Sequence, residues 1–244
     1  MKKLSGAGLV AVALSLAACG DGNGASGANM QAPLPQIAAP NNANWAQTVA
    51  KTPEGGTRMG NPNAPVKLVE YGSLTCPACR AFSQTGTQRL RDVYVRSGQV
   101  SWEFRPLVIH GAADVALSLL TNCQPPAAYF RTIEQIYEQQ PEILGRFTEE
   151  EQRRTQALPP EQTVVPVAEA MDLHTFFAQR GIPQARFNQC LTDQAAVQRL
   201  ADITNRAMTS EGVPGTPTFF INGEMLSVSS WSDLEPLLRQ RIGG

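Results

Sequence analysis

Two cysteines enclosing two residues, Cys76-Pro77-Ala78-Cys79, are the side chains in this sequence whose type and spacing can do chemistry. A dithiol at this spacing closes to a disulfide and is reopened by a second thiol, with the thiolate as the attacking species. A helix opening at Cys76 would put that sulfur at free backbone N–H groups and the positive end of the helix dipole, which favour thiolate over thiol. Pro77 suits the first helical turn because it has no N–H to leave unpaired. Cys76 is therefore expected to attack, and Cys79, one turn in and facing the interior, to resolve the mixed disulfide. A metal site would need four soft or imidazole ligands, yet there is no second CxxC and the chain has 2 histidines, so no metal is expected. A purely structural disulfide closing so small a ring would restrict the unfolded chain little.

The elements needed to position that pair are legible around it. Val66, Leu68 and Glu70 alternate with Lys67, Val69 and Tyr71 in a strand ended by Gly72-Ser73, and the cysteine motif follows at once. A helix from Cys79 carries Phe82, Gly86, Leu90, Val93 and Tyr94, stops at Ser97-Gly98, and gives way to a second strand from Val100 to Phe104. Strand, helix, strand in one sheet implies a parallel pair with a right-handed crossover, hence an α/β fold. A further short strand is expected near Trp45–Val49, with a turn-rich stretch after it. From about 111 to 208 strand signals vanish and helical stripes take over, including Val115, Leu119 and Cys123, then Phe130, Ile133, Ile136 and Tyr137. Sheet character returns with Thr218–Ile221, the Asn222-Gly223 hairpin signal and a partner strand Met225–Val228. A last helix lined by Trp231, Leu234 and Leu238 follows, with Ser232-x-x-Glu235 as its capping box. His110 reads first as a hydrogen-bonded structural residue and second as a groove-lining one. His174 receives no function.

The N-terminus indicates where this chemistry takes place. Lys2-Lys3 followed by an uncharged apolar stretch is a secretory signal, too short for a permanent membrane span. Leu16-Ala17-Ala18-Cys19 then reads as a lipobox, with signal peptide 1–18 removed and Cys19 acylated. The alternative is a plain signal and a soluble periplasmic protein. Residues 19–43, small and polar, read as a flexible tether. The 5 cysteines then resolve into lipidated Cys19, the pair Cys76–Cys79, and Cys123 with Cys190 as a second bridge or as two buried thiols. A net charge of −1 gives no basic field for nucleic acid.

Two stretches, Val66 to Cys79 and Gly212-Val-Pro-Gly-Thr-Pro-Thr-Phe-Phe-Ile-Asn-Gly223, resemble the two signatures of the DsbA-like thiol:disulfide oxidoreductases. The resemblance runs from about Trp45 to the C-terminus. It implies a thioredoxin fold with an inserted helical domain, its first part at 44–110, the insertion at 111–208 and its second part at 209–244. It also implies that Pro217 is cis opposite the cysteines, that Thr216 offers its backbone to an extended client beside Pro77 and Pro217, and that Glu70 is a buried acid serving Cys79. Independently, Glu70 continues the apolar face of its strand, a costly position for an idle carboxylate. The implied activity needs no cofactor; its partners are exported proteins with cysteine thiols, a membrane redox protein and, through the lipid, a membrane. Ala78 stands where oxidising members carry histidine, which predicts a less oxidising pair and leaves three readings: oxidase, reductase or isomerase on the same fold, and a non-enzymatic peptide- or metal-binding lipoprotein.

Overall fold

The computed structural model describes residues 33–243. The signal peptide and Cys19 lie outside them. A sheet with strand order β1-β2-β4-β3-β5-β6 forms the centre of the molecule. Its strands are β1 (Val49–Lys51), β2 (Thr57–Gly60), β3 (Val66–Gly72), β4 (Val100–Pro106), β5 (Thr218–Ile221) and β6 (Glu224–Met225). Only β3 and β4 pair in parallel, as the strand–helix–strand order requires, and β5 joins β3 antiparallel with Glu70 opposite Phe219. Val66, Leu68, Trp102, Phe104 and Phe219 from these central strands are buried, so the middle of the sheet is the core. Helix α1 (Pro77–Phe82) continues in π-helical turns through Val95.

Seven helices then follow in succession: α2 (Ala112–Asn122), α3 (Tyr129–Gly145), α4 (Glu149–Gln156), α5 (Val164–Ala170), α6 (Leu173–Ala178), α7 (Gln184–Thr192) and α8 (Gln194–Thr209). They form the inserted helical domain of a thioredoxin fold. Helix α9 (Trp231–Gly243) closes the chain, with Trp231 packed edge-on to Tyr94.

Several expectations are corrected. Thr57–Gly60, which lies between the turn-rich segments 52–56 and 60–65, overlaps the second and is expected to hold no strand, is strand β2, which pairs with β4. Trp45–Gln47 is a 3-10 turn, and the strand near it begins only at Val49. The partner of β5 is shorter than expected, although Asn222 and Gly223 take the positive φ values, 51° and 86°, that a tight hairpin demands. The hydroxyl that accepts the Asp233 amide at the start of α9 is that of Ser230, not Ser232. Glu235 instead turns inward and accepts hydrogen bonds from Tyr94 and Arg89. The end of the tether expected over 19–43 is docked: Leu34 is buried, the Ile37 amide donates to the Ser97 carbonyl at 2.8 Å, and the Trp45 indole donates to the Ile37 carbonyl at 2.8 Å.

Candidate active site

Cys76 is the N-cap of α1 and Pro77 its first residue, so the sequence punctuation yields the geometry expected of it. Cys76 and Cys79 are both free and both buried, Cys79 completely. Across from them the Thr216-Pro217 peptide bond is cis, and the Cys76 thiol donates to the Thr216 carbonyl at 3.3 Å. The two sequence signatures, 140 residues apart, meet at that contact.

The electrostatics separate the two sulfurs. A hydrogen bond from the Cys79 thiol draws Cys76 down to about 5; the Thr216 side-chain hydroxyl and the amides of Cys79 and Ala78 act the same way, against the opposing effect of burial. Burial drives Cys79 well above its usual range, and its hydrogen bond to Cys76 and the Cys76 charge add to this. At neutral pH the arrangement is therefore a thiolate at Cys76 and a thiol at Cys79. Glu70 is 1% exposed, and burial pushes it up to about 8 although the Trp102 indole donates to it at 3.0 Å.

The loop carrying Cys76 is held from the helical insertion by residues with no sequence motif. On α3, the Gln140 amide donates to the carbonyls of Leu74 (2.9 Å) and Cys76 (3.2 Å), and the Tyr137 hydroxyl donates to that of Ser73 (3.1 Å). At the start of α2, Asp114 accepts the Leu74 amide at 3.1 Å. His110 lies 2.8 Å from the Ser73 hydroxyl. It also borders, with Thr75, an apolar cavity of about 980 Å³ lined by Ala113, Val115, Leu144 and Val167, so both readings of this histidine describe its position. The only hint of Gln140 and Asp114 in the sequence is a polar residue interrupting an otherwise apolar helix face. Cys123 and Cys190 are bonded, with Cα atoms 6.1 Å apart, tying the end of α2 to α7. His174 stacks edge-on against Phe187, far from any chemistry that could be assigned to it. Among the described residues no three His, Cys, Asp or Glu side chains gather to hold a metal ion, and no helix is long and apolar enough to cross a membrane.

A family model described as thioredoxin matches residues 52–240. The chain belongs to the thioredoxin family. Its sequence is 20% identical over 204 residues to disulfide bond formation protein D of Bacillus subtilis, covering 78% of this chain and 79% of that one. The crystal structure titled protein-disulfide isomerase from Novosphingobium aromaticivorans superposes with a TM-score of 0.72 at 29% identity, over 77% of this chain and 97% of that one. Wolbachia pipientis alpha-DsbA1 shares the fold at 18% identity and a TM-score of 0.63, over 77% and 91%. These likenesses agree on a thioredoxin fold that carries an inserted helical domain. The chain spans about half the length of the rickettsial relatives it also matches: 52% of a putative protein-disulfide oxidoreductase of Rickettsia felis, at 25% identity over 68% of this chain.

Proposed function

We propose that this thioredoxin-family chain is an exported disulfide donor, anchored through acylated Cys19 on the periplasmic side of a bacterial membrane, that oxidises cysteine pairs in newly exported proteins. The observation that carries the reading is the division of labour between the sulfurs, with Cys76 drawn down to about 5 beside the Thr216-Pro217 bend and Cys79 held up beneath it. In the oxidised protein a client thiolate attacks Sγ of Cys76; the Cys76–Cys79 bond breaks and its electron pair leaves on Cys79. Glu70, protonated at neutral pH, supplies the proton that Cys79 then takes up. A second client thiolate attacks the client sulfur of the mixed disulfide and expels Cys76, a good leaving group because its thiolate is stabilised. The products are a client disulfide and the Cys76–Cys79 dithiol, which a disulfide-bearing membrane partner reoxidises. Thr216 offers backbone to the client as an added strand, with Pro77 and Pro217 flanking it.

Three measurements test this. Cys79→Ala in the exported protein should accumulate mixed disulfides with exported proteins; their absence would favour a binding role for the lipoprotein. Equilibrium with glutathione sets the direction: a potential near about −120 mV fits a donor and one near about −270 mV a reductase. Ala78 supports the second reading, because this position offers no imidazole to steady the thiolate. Acylation is tested by metabolic labelling with palmitate, which Cys19→Ser should abolish.

A further inference from the structure

The position of Asp114 is unusual for a carboxylate. It is fully buried near the N-terminus of α2, where it accepts the Leu74 amide at 3.1 Å with one oxygen and the Ile109 amide at 3.3 Å with the other. His110 Nδ1 lies 3.7 Å from the second oxygen and 2.8 Å from Ser73 Oγ. Ser73 in turn hydrogen bonds Thr75 through its side chain at 3.1 Å and accepts the Cys76 amide on its carbonyl at 3.2 Å. One buried charge in the insertion thus grips the strand-to-helix loop of the thioredoxin unit two residues before its attacking sulfur. Across the interface from α3 it faces Tyr137, which its charge helps keep neutral. Among the described residues, α5, α7 and α8, the other helices against α2, bring no charged side chain into bonding contact with it. Two amides and a nearby histidine offset part of the cost of burying a carboxylate, and what they secure is the Ser73–Cys76 segment.

We propose that Asp114, supported by His110, is a positioning residue that fixes the Ser73–Cys76 loop from the helical insertion and thereby sets the reactivity of Cys76, which ceases to be held when Asp114 loses its charge. The proposal rests on the reading of Cys76–Cys79 as a redox pair. Burial pushes the Asp114 carboxyl up to about 6, opposed by the donors around it. Above that pH both oxygens accept; below it one carries a proton and an acceptor is lost.

The sign of one substitution separates positioning from simple charge. Removing a negative charge bonded to the loop that carries a thiolate would by itself, through its field alone, lower the thiol's pKa. Removing an anchor that holds that thiol at the helix N-terminus raises it. Asp114→Asn is isosteric but offers only one accepting oxygen, and it should raise the Cys76 pKa, read by ultraviolet absorbance of the thiolate, by about one unit. That shifts the glutathione equilibrium about tenfold toward a weaker oxidant, which is about 30 mV for a two-electron couple. His110→Ala, which keeps both amide bonds to Asp114, should shift it the same way by less. In the wild type, Cys76 should titrate more steeply than an isolated group, because Asp114 protonates in the same pH range. A folded Asn variant whose Cys76 pKa is unchanged or lower overturns the proposal. If that variant does not fold, wild-type Cys76 titrating as a single isolated group, with His110→Ala leaving the equilibrium unmoved, overturns it equally. Wild-type protein that fails to exchange with glutathione at all would instead bring down the redox-pair reading itself.

Discussion

At the scale of single residues, the reduced protein carries two titrations that oppose each other. The folded-state pKa of Cys76 is depressed, so its contribution to stability grows as pH rises above about 5 and is lost as pH falls through that value. Glu70 is the reverse case. Its folded pKa is raised from 4.5 to about 8, so its contribution is full in acid and is lost as pH climbs through that window. Three outcomes follow. Alkylation of reduced protein by iodoacetamide should track a thiolate midpoint near pH 5, and a midpoint in the ordinary cysteine range near about 8.5 would contradict the assigned nucleophile. Glu70→Gln should remove the acid's opposing slope, so that urea stability of the reduced variant rises with pH between 5 and 8 more steeply than in the wild type, by up to roughly 1.4 kcal/mol per pH unit. The same variant should slow disulfide transfer at pH 7 by about a hundredfold, the low end for loss of a positioned proton donor. Equal slopes in the two proteins would mean that Glu70 is already ionised in the fold.

At the scale of elements, the site depends on how closely α1 and α9 approach. Gly86 lies in the π-helical continuation of α1, and a Cβ built there would come within 2.7 Å of the Trp231 ring and 2.9 Å of its Cβ. Trp231 has little room to yield, since Phe82 and Tyr94 pack on it. Alanine would gain about 1 kcal/mol of helix propensity over glycine, yet the overpacking costs about 1 to 3 kcal/mol. Gly86→Ala should therefore come out neutral to about 2 kcal/mol less stable by urea denaturation, and a clear gain in stability would show that the helices can separate freely. Elements whose signal is local were legible in the sequence: β3, the Cys76 cap, the helical stripes of the insertion and the Asn222-Gly223 turn. Those specified by distant partners were not. Strand β2 exists because four residues bounded by glycines can pair with β4, and no pattern within Thr57–Gly60 announces it. The capping box at Ser232 failed because Glu235 is drawn into the core by Arg89 and Tyr94, more than 140 residues upstream. Gln140, Tyr137 and Asp114 reach the active-site loop across 40 to 66 residues of chain, a range in which spacing carries no information.

At the scale of the whole molecule, the insertion has two ends with different duties. Its near end, at Asp114 and Gln140, holds the loop of Cys76; its far end is closed by the Cys123–Cys190 bond, which joins residues 67 apart in sequence. Along α2 the two ends are separated by nine residues, roughly 13 Å at 1.5 Å per residue, so strain released at one has little reason to reach the other. A cross-link closing a loop of that length lowers the entropy of the unfolded chain by an amount worth about 4 kcal/mol. Replacing both Cys123 and Cys190 by serine should thus lower the stability of the chain by roughly that amount while leaving the glutathione equilibrium of Cys76 and Cys79 within about twofold of the wild type. Measuring both quantities on the same variant separates the two roles of the insertion. If the equilibrium moves together with stability, the helical domain acts on the dithiol as one elastic body, and the local anchor at Asp114 is not what sets Cys76; if only stability falls, the bridge serves the fold and the chemistry is governed from the near end alone.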